Sequence, residues 1–259
     1  MDIVVCIKRV PDVAEADVEI ESSGLRIDDS DLSWGMNEWD TFAVEEALRL
    51  KEEHGGSVTA LTVGGEDDEE VLRRALAMGA DQAVHLQDDA FTGTDPLGIA
   101  RVLAAAIGKR PYDLVLTGAV SGDTGSAQLG GMLAALLDVP QVALATRTAL
   151  TDGKLEVQHE VEGGLERVVE LDLPAVVTVQ TGINQPRYVS IRGIRKVASV
   201  EIPVEGAGDL ALEADALMPR LTLKELFLPP TGDGAEILEG STAEVVEKLV
   251  ERLRERGGI

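Results

Sequence analysis

Short, almost wholly apolar runs alternate along the chain with segments whose apolar residues recur at helical spacing: DIVVCI, NEWDTFAVEEALRLKEEHGG, SVTALTVGG, DDEEVLRRALAMGA, QAVHL, DPLGIARVLAAAIGK, YDLVLTG, GSAQLGGMLAALLD and PQVALAT. Apolar runs that do not alternate with polar residues are strands buried on both faces. Separated by helices, they predict βαβ units and a doubly wound, mainly parallel sheet of the α/β, Rossmann-like class. In the first helical segment Trp39, Ala43, Ala47 and Leu50 share one face, Asn37 occupies the N-cap, Asp40 falls in the first turn, and HGG closes it. After YDLVLTG, the stripe Leu129, Met132, Leu133, Leu136 and Leu137 marks another helix.

The pattern changes after about residue 146. TALTDGKLEVQHEV reads as two strands joined by Asp152 and Gly153, a β-hairpin insertion over 147–160, and RVVELDLPAVVTVQTG supplies more strand. INQPRYVSIRGIRKV reads as a loop with a cationic face. From Ser199 the composition loosens, and the chain ends in a helix whose Ser241 and Glu244 form a capping box ahead of Val245, Val246, Leu249, Val250 and Leu253. The expected organisation is an α/β domain over 1–200 and a C-terminal arm over 201–259 that folds against something else.

Charge narrows the partners. The chain of 259 residues carries 47 acidic against 23 basic residues, a formal charge of -24, so nucleic acid is repelled. Self-repulsion on that scale weakens a compact state in dilute buffer and fades at about 1 M salt, where the Debye length is roughly 3 Å; a salt-adapted cytoplasm is the expectation. No run reaches a membrane span, and MDIVVCIKRV reads as a buried strand rather than a signal peptide. One cysteine and three scattered histidines offer no metal-ligand cluster.

The stretch SGDTGSAQLGG, residues 121–131, packs four glycines, two serines, a threonine and an aspartate between a strand and a helix. In open α/β sheets the crevice beyond the strand carboxyl ends is the usual ligand site. Amides at a helix N-terminus, helped by its dipole, attract phosphate there. The loop spells neither a Walker lysine motif nor a Gly-x-Gly-x-x-Gly fingerprint, and no lysine is expected near it to neutralise a transferring phosphoryl group, so binding without turnover is the inference. No nucleophile elbow or His-Glu-x-x-His motif occurs, and no catalytic residue is expected.

Separated stretches, taken in order, resemble the beta subunit of the electron transfer flavoproteins. These are VVCIKRVPD, MNEWDTFAVEEALRLKE, RRALAMGAD, GDTGSAQLGGMLAALLDVPQ, EVEGGLERVVELDLPAVVTV and NQPRYVSIRGI. The resemblance implies an adenine nucleotide alpha hydrolase-like fold without hydrolase activity. It also implies pairing with an alpha subunit that holds most of one FAD, and an electron shuttle taking electrons from acyl-CoA or other flavin dehydrogenases to a membrane quinone oxidoreductase.

By the resemblance, AMP would be buried by Cys6, by Asn37, Glu38, Trp39 and Asp40, by Val63, and by Val120, Ser121, Gly122, Asp123, Thr124, Gly125, Ser126, Ala127, Gln128, Leu129, Gly130 and Gly131. Trp39 would approach the flavin. The segment 184–193 would dock dehydrogenases through Ile191, with Asn184, Pro186, Arg187, Tyr188 and Arg192 around it. Departures from the family pattern are Glu38 in place of a proline, His159 in place of a basic residue, and Gly125 in place of an acidic one. Two readings stay open beside it: a bifurcating member with a second FAD in place of AMP, and a universal-stress-like nucleotide-binding module.

Overall fold

A computed structural model describes residues 1–13, 16–230, 232 and 234–258. In chain order the elements are β1 (Asp2–Cys6), β2 (Arg9–Asp12), β3 (Ser33–Met36), α1 (Glu38–His54), β4 (Ser57–Val63), α2 (Glu69–Met78), β5 (Gln82–Leu86), α3 (Pro96–Gly108), β6 (Leu114–Gly118) and α4 (Leu129–Leu137). There follow β7 (Gln141–Thr151), β8 (Lys154–Val161), β9 (Leu165–Leu171), β10 (Ala175–Val179), α5 (Ile191–Val197), β11 (Val204–Glu205), α6 (Ala214–Leu217) and α7 (Thr242–Glu255). Nine strands form one sheet in the order β11-β5-β4-β1-β6-β10-β7-β8-β9. From β11 to β7 every pair is parallel, and β8 and β9 extend the sheet antiparallel. The architecture is the α/β, Rossmann-like one that the apolar strand runs predict.

Alternate residues of each inner strand face opposite sides, and each side is covered. Ile3, Val5, Val58, Ala60, Leu114 and Leu116 pack against Ala43, Ala47 and Leu48 of α1 and Leu72 and Ala75 of α2. Val4, Cys6, Leu61, Val115 and Val176 pack against Val102, Leu103 and Ile107 of α3 and Leu133 of α4. Strand order reverses between β1 and β6, because β1 pairs first with β4 on one side and later with β6 on the other. The two winding directions leave a crevice at that switch point.

Three expectations change. The hairpin over 147–160 is part of a larger unit, since β7 begins at Gln141 and β9 pairs with β8 along its length. The arm does not start at residue 201. Val204 and Glu205 add an edge strand to β5, while Ile202, Leu210 and Leu217 are buried in the domain, because these apolar residues close a sheet edge that would otherwise be bare. Leu136, assigned to the buried stripe of α4, is 42% exposed, and Gly130 and Ala134 take the inward face with Leu133. Residues 231, 233 and 259 of the arm lie outside the described residues.

Candidate functional site

A cavity of about 250 Å³ opens at the carboxyl ends of β1, β4 and β6, at the switch point. Its floor is Cys6 and Thr117; Val63, Ile99, Leu103 and Leu129 make an apolar wall. Ser121, Thr124, Ser126 and Gln128 line the polar side, beside the first turn of α4. That turn has no side chain capping it, so its amides are available to an anion. The cavity thus joins an apolar slot to helix amides that can donate to an anion.

Two residues at the start of α1 build the frame. Asn37 is 2% exposed and sits at the N-cap, but its side chain makes no cap bond. Instead Asn37 Nδ2 donates to Val120 O at 3.0 Å, and Oδ1 accepts from the Gly122 amide at 3.2 Å, pinning the glycine-rich loop to the helix. Asp40 Oδ2 accepts the Lys8 amide at 2.8 Å and Oδ1 accepts the Gly118 amide at 3.0 Å, which ties together the ends of β1 and β6. Burial raises the Asp40 carboxyl to about 7, against the pull of the Lys8, Asn37 and Gly118 hydrogen bonds and of the Lys8 charge. Burial, and secondarily the nearby Asp40 charge, pushes the Cys6 thiol far up, so it stays a neutral, inert surface.

Gly118 makes this close approach possible. A Cβ there would overlap the Asp40 carboxylate and lie 2.7 Å from the Trp39 Cβ. Gly130 plays the same part for α4, since a Cβ would run into the Thr178 methyl on β10.

Of the residues expected in the pocket, Cys6, Asn37, Asp40, Val63, Val120, Ser121, Thr124, Ser126, Ala127, Gln128 and Leu129 come together on its lining. Glu38 points to solvent. Gly122, Asp123, Gly125, Gly130 and Gly131 shape the loop and helix start without lining the cavity. Trp39 turns away from the cavity, half-buried, and donates from Nε1 to Gln180 Oε1 at 3.1 Å beyond the end of β10.

Sequence reasoning missed one whole wall, Thr94 to Leu103 at the start of α3. Its signal was present in Asp95-Pro96, an N-cap and first-position proline that open the helix after β5. Asp95 Oδ1 accepts from Gly98 N at 2.9 Å and Oδ2 from Arg220 N at 2.6 Å, and these bonds hold its carboxyl below the usual range while fastening the start of the arm beside the pocket. The expectation that no lysine lies near the loop is also overturned. Lys8 lines the cavity, and its Nζ is 2.5 Å from Asp123 Oδ2, because β1 and β6 are neighbours in the sheet.

The segment 184–193 packs along the middle of α1, reaching from Phe42 to Glu52. Ser190 Oγ caps α5 by accepting from Gly193 N at 3.1 Å, so Ile191 and Arg192 stand on a helical turn rather than in a loop. Tyr188 is 88% and Ile191 67% exposed, with Arg192 beside them. Arg187 and Asn184 instead point inward onto α1, bound to Glu45 and Glu46. Pro186 is half-buried between them.

Among the described residues no helix is long and apolar enough to cross a membrane, and no group of three or more His, Cys, Asp or Glu side chains could hold a metal ion. A family model described as the electron transfer flavoprotein domain matches residues 24–210. The chain is 40% identical to the electron transfer flavoprotein subunit beta of Bacillus subtilis, across 98% of both proteins. It is 34% identical to the subunit of the same name from Methylophilus methylotrophus, across the whole of both, and 38% identical to that of Sus scrofa, across 98% of this chain and 97% of the other. With this sheet order and these full-length similarities, the chain belongs to the electron transfer flavoprotein family, among its beta subunits.

Proposed function

We propose that the chain is the beta subunit of a heterodimeric electron transfer flavoprotein, that it buries AMP in the switch-point cavity as a structural ligand, and that it works in the cytoplasm. The observation that carries the nucleotide reading is the cavity itself: an apolar slot closed by uncapped amides of α4, with Lys8 at its polar side. At about 250 Å³ it lies just below the usual range of ligand pockets, roughly 300–1,000 Å³, and this favours a mononucleotide over a whole FAD. The base would rest on Cys6, Val63 and Ile99, and the phosphate would meet the amides of Ser126 to Gly130. Among the described residues, the charged groups nearest that phosphate are already engaged. Lys8 is already paired with Asp123, and the Asp40 carboxylate is occupied by two backbone amides.

The FAD would be held chiefly by an alpha subunit, and when bound it supplies the electron-carrying chemistry. This chain would complete its site from the carboxyl edge of β10, where Trp39 is fixed by Gln180. Dehydrogenases would dock on Tyr188 and Ile191, a small exposed apolar tip suited to brief contact, and a membrane quinone oxidoreductase would receive the electrons. Denaturing the purified heterodimer and weighing the released nucleotides tests the reading. One AMP and one FAD per pair of chains are expected. Two FAD and no AMP would replace it with the bifurcating reading, and a colourless homodimer would replace it with a stand-alone nucleotide-binding module.

A further inference from the structure

Two carboxylates on α1, Glu45 and Glu46, are 5% and 3% exposed, and neither touches the nucleotide cavity. Burying a carboxylate is unfavourable unless hydrogen bonds compensate it. For Glu45 the compensation comes from Arg187 in the segment that precedes α5, and Glu46 shares its compensation between that segment, β7 and α1 itself. Arg187 donates to Glu45 from its amide at 3.0 Å, from Nε at 2.9 Å and from Nη2 at 3.0 Å, while its Nη1 reaches Glu52 at 2.8 Å. Glu46 accepts from Asn184 Nδ2 at 2.9 Å and from Thr148 Oγ1 on β7 at 2.7 Å, with Arg49 at 3.3 Å. Asn184 Nδ2 also donates to Phe42 O at 3.0 Å.

We propose that Glu45 and Glu46 are positioning residues for docking: through Arg187 and Asn184 they clamp residues 184–188 to α1, so that Tyr188 and Ile191 are held outward in a fixed pose. This rests on the reading of Ile191 as the docking tip. Arg187 and Asn184 then belong to the mount rather than to the contact surface. The planar guanidinium matters more than its charge, because the fork grips both oxygens of Glu45 at once. A tip mounted this way binds its partner without first paying for loop ordering. The start of α1 also carries Asn37 and Asp40, so one helix serves as the foundation of both the nucleotide pocket and the docking tip.

The test uses the flavin-loaded heterodimer as electron acceptor for a purified acyl-CoA dehydrogenase reduced by its acyl-CoA. For Glu46→Gln, Asn184→Ala and Arg187→Ala the expected result is a KM for the heterodimer at least tenfold higher, a kcat within twofold, and unchanged AMP and FAD content. Arg187→Lys keeps the charge and loses the fork, and its KM should stay at least fivefold high. A lower melting temperature with an unmoved KM would overturn the proposal. Ile191→Ala separates the two layers of argument. If it raises KM while the clamp variants do not, the clamp alone fails, and if it leaves KM unmoved the docking reading fails. Should the clamp variants not fold, hydrogen exchange in the unmodified heterodimer decides: the Arg187 amide should exchange at least tenfold more slowly than that of Tyr188, and equal rates would overturn the clamp.

Discussion

Lys8 Nζ lies 2.5 Å from Asp123 Oδ2, so the residue that leaves the central strand is bonded to the glycine-rich loop 115 positions later. Lys8 lines the polar side of the cavity, and Asp123 holds it from the loop behind. Burial works to raise the Asp123 carboxyl, yet the Lys8 bond and charge, together with hydrogen bonds from Ser121 and the Thr124 amide, outweigh it and hold the carboxyl below its ordinary value. A depressed carboxyl contributes stability above its unfolded pKa and loses it as pH falls through the folded one, so the latch opens only in acid. Lys8 is 43% exposed, and an ion pair that wet contributes at most about 1 kcal/mol to folding. Asp123→Asn should therefore leave the melting temperature nearly unchanged while bound nucleotide leaves several-fold faster in a dilution assay. Equal release rates would show that the latch does not guard the pocket.

Asp40 makes the opposite pH prediction. Its folded value of about 7 stands above the ordinary 3.8, so the folded chain holds a proton that the unfolded chain releases. Stability from this group is complete below about pH 4, declines by up to about 1.4 kcal/mol per pH unit, and levels off once pH passes about 7. Asp40→Asn cannot titrate. It also leaves either the Lys8 or the Gly118 amide without an acceptor, at about 1–3 kcal/mol. Urea unfolding from pH 5 to 8.5 should show the unmodified chain losing its advantage over Asp40→Asn as pH rises, with a constant difference above pH 8. A difference that grows with pH would reverse the assignment.

Gly118→Ala addresses the packing that Asp40 depends on. The added methyl would overlap the Asp40 carboxylate and press on Trp39, and overpacking of this kind costs about 1–3 kcal/mol. The expected outcome is a lower melting temperature together with loss of co-purifying nucleotide, because the start of α1 must shift. Gly35→Ala is the matched control, since nothing lies within 4 Å of its Cβ and its φ is ordinary. Its stability should stay within about 0.5 kcal/mol of the unmodified chain.

What the sequence could and could not disclose follows from how each feature arises. The alternation of Ile3, Val5 and Val4, Cys6 onto opposite faces needs only the strand period, so the covered parallel sheet was legible. The closeness of Lys8 to the loop needs the strand order, which no local pattern encodes. Asn37 was legible as a helix start, but its bonds to Val120 and Gly122 depend on β6 arriving alongside. Arg187 reads as a surface cation until the fold brings Glu45 and Glu52 beneath it. The arm boundary was misplaced because the two-residue strand β11 is too short to show a period.

Net charge gives a prediction for the whole molecule. With -24 formal charges the unscreened folded state repels itself, and the ion pairs that oppose this are mostly surface ones of small value. Added salt screens this repulsion. Raising KCl from 0.1 to 2 M should increase the thermal midpoint by several degrees, whereas a falling midpoint would mark an ordinary acidic protein.

The C-terminal helix supplies the last prediction. Ser241 donates from its amide and its hydroxyl to Glu244 Oε2, both at 2.7 Å, so α7 starts with a secure cap. Yet Val246, Leu249 and Leu253 lie exposed, and Phe227 and Ile237 in the preceding arm are 75% and 78% exposed. An amphipathic helix with a bare apolar stripe gains its stability from packing, and among the described residues nothing covers the stripe. The alpha subunit is the surface we expect to receive it. Leu249→Glu removes about 1.5–3 kcal/mol of apolar burial from that contact and adds a charge to it. Dissociation of the heterodimer should become roughly tenfold to a hundredfold easier in sedimentation, while the melting temperature of the isolated chain stays put. An unchanged heterodimer, or an isolated chain that melts earlier, would mean that α7 packs on its own domain instead.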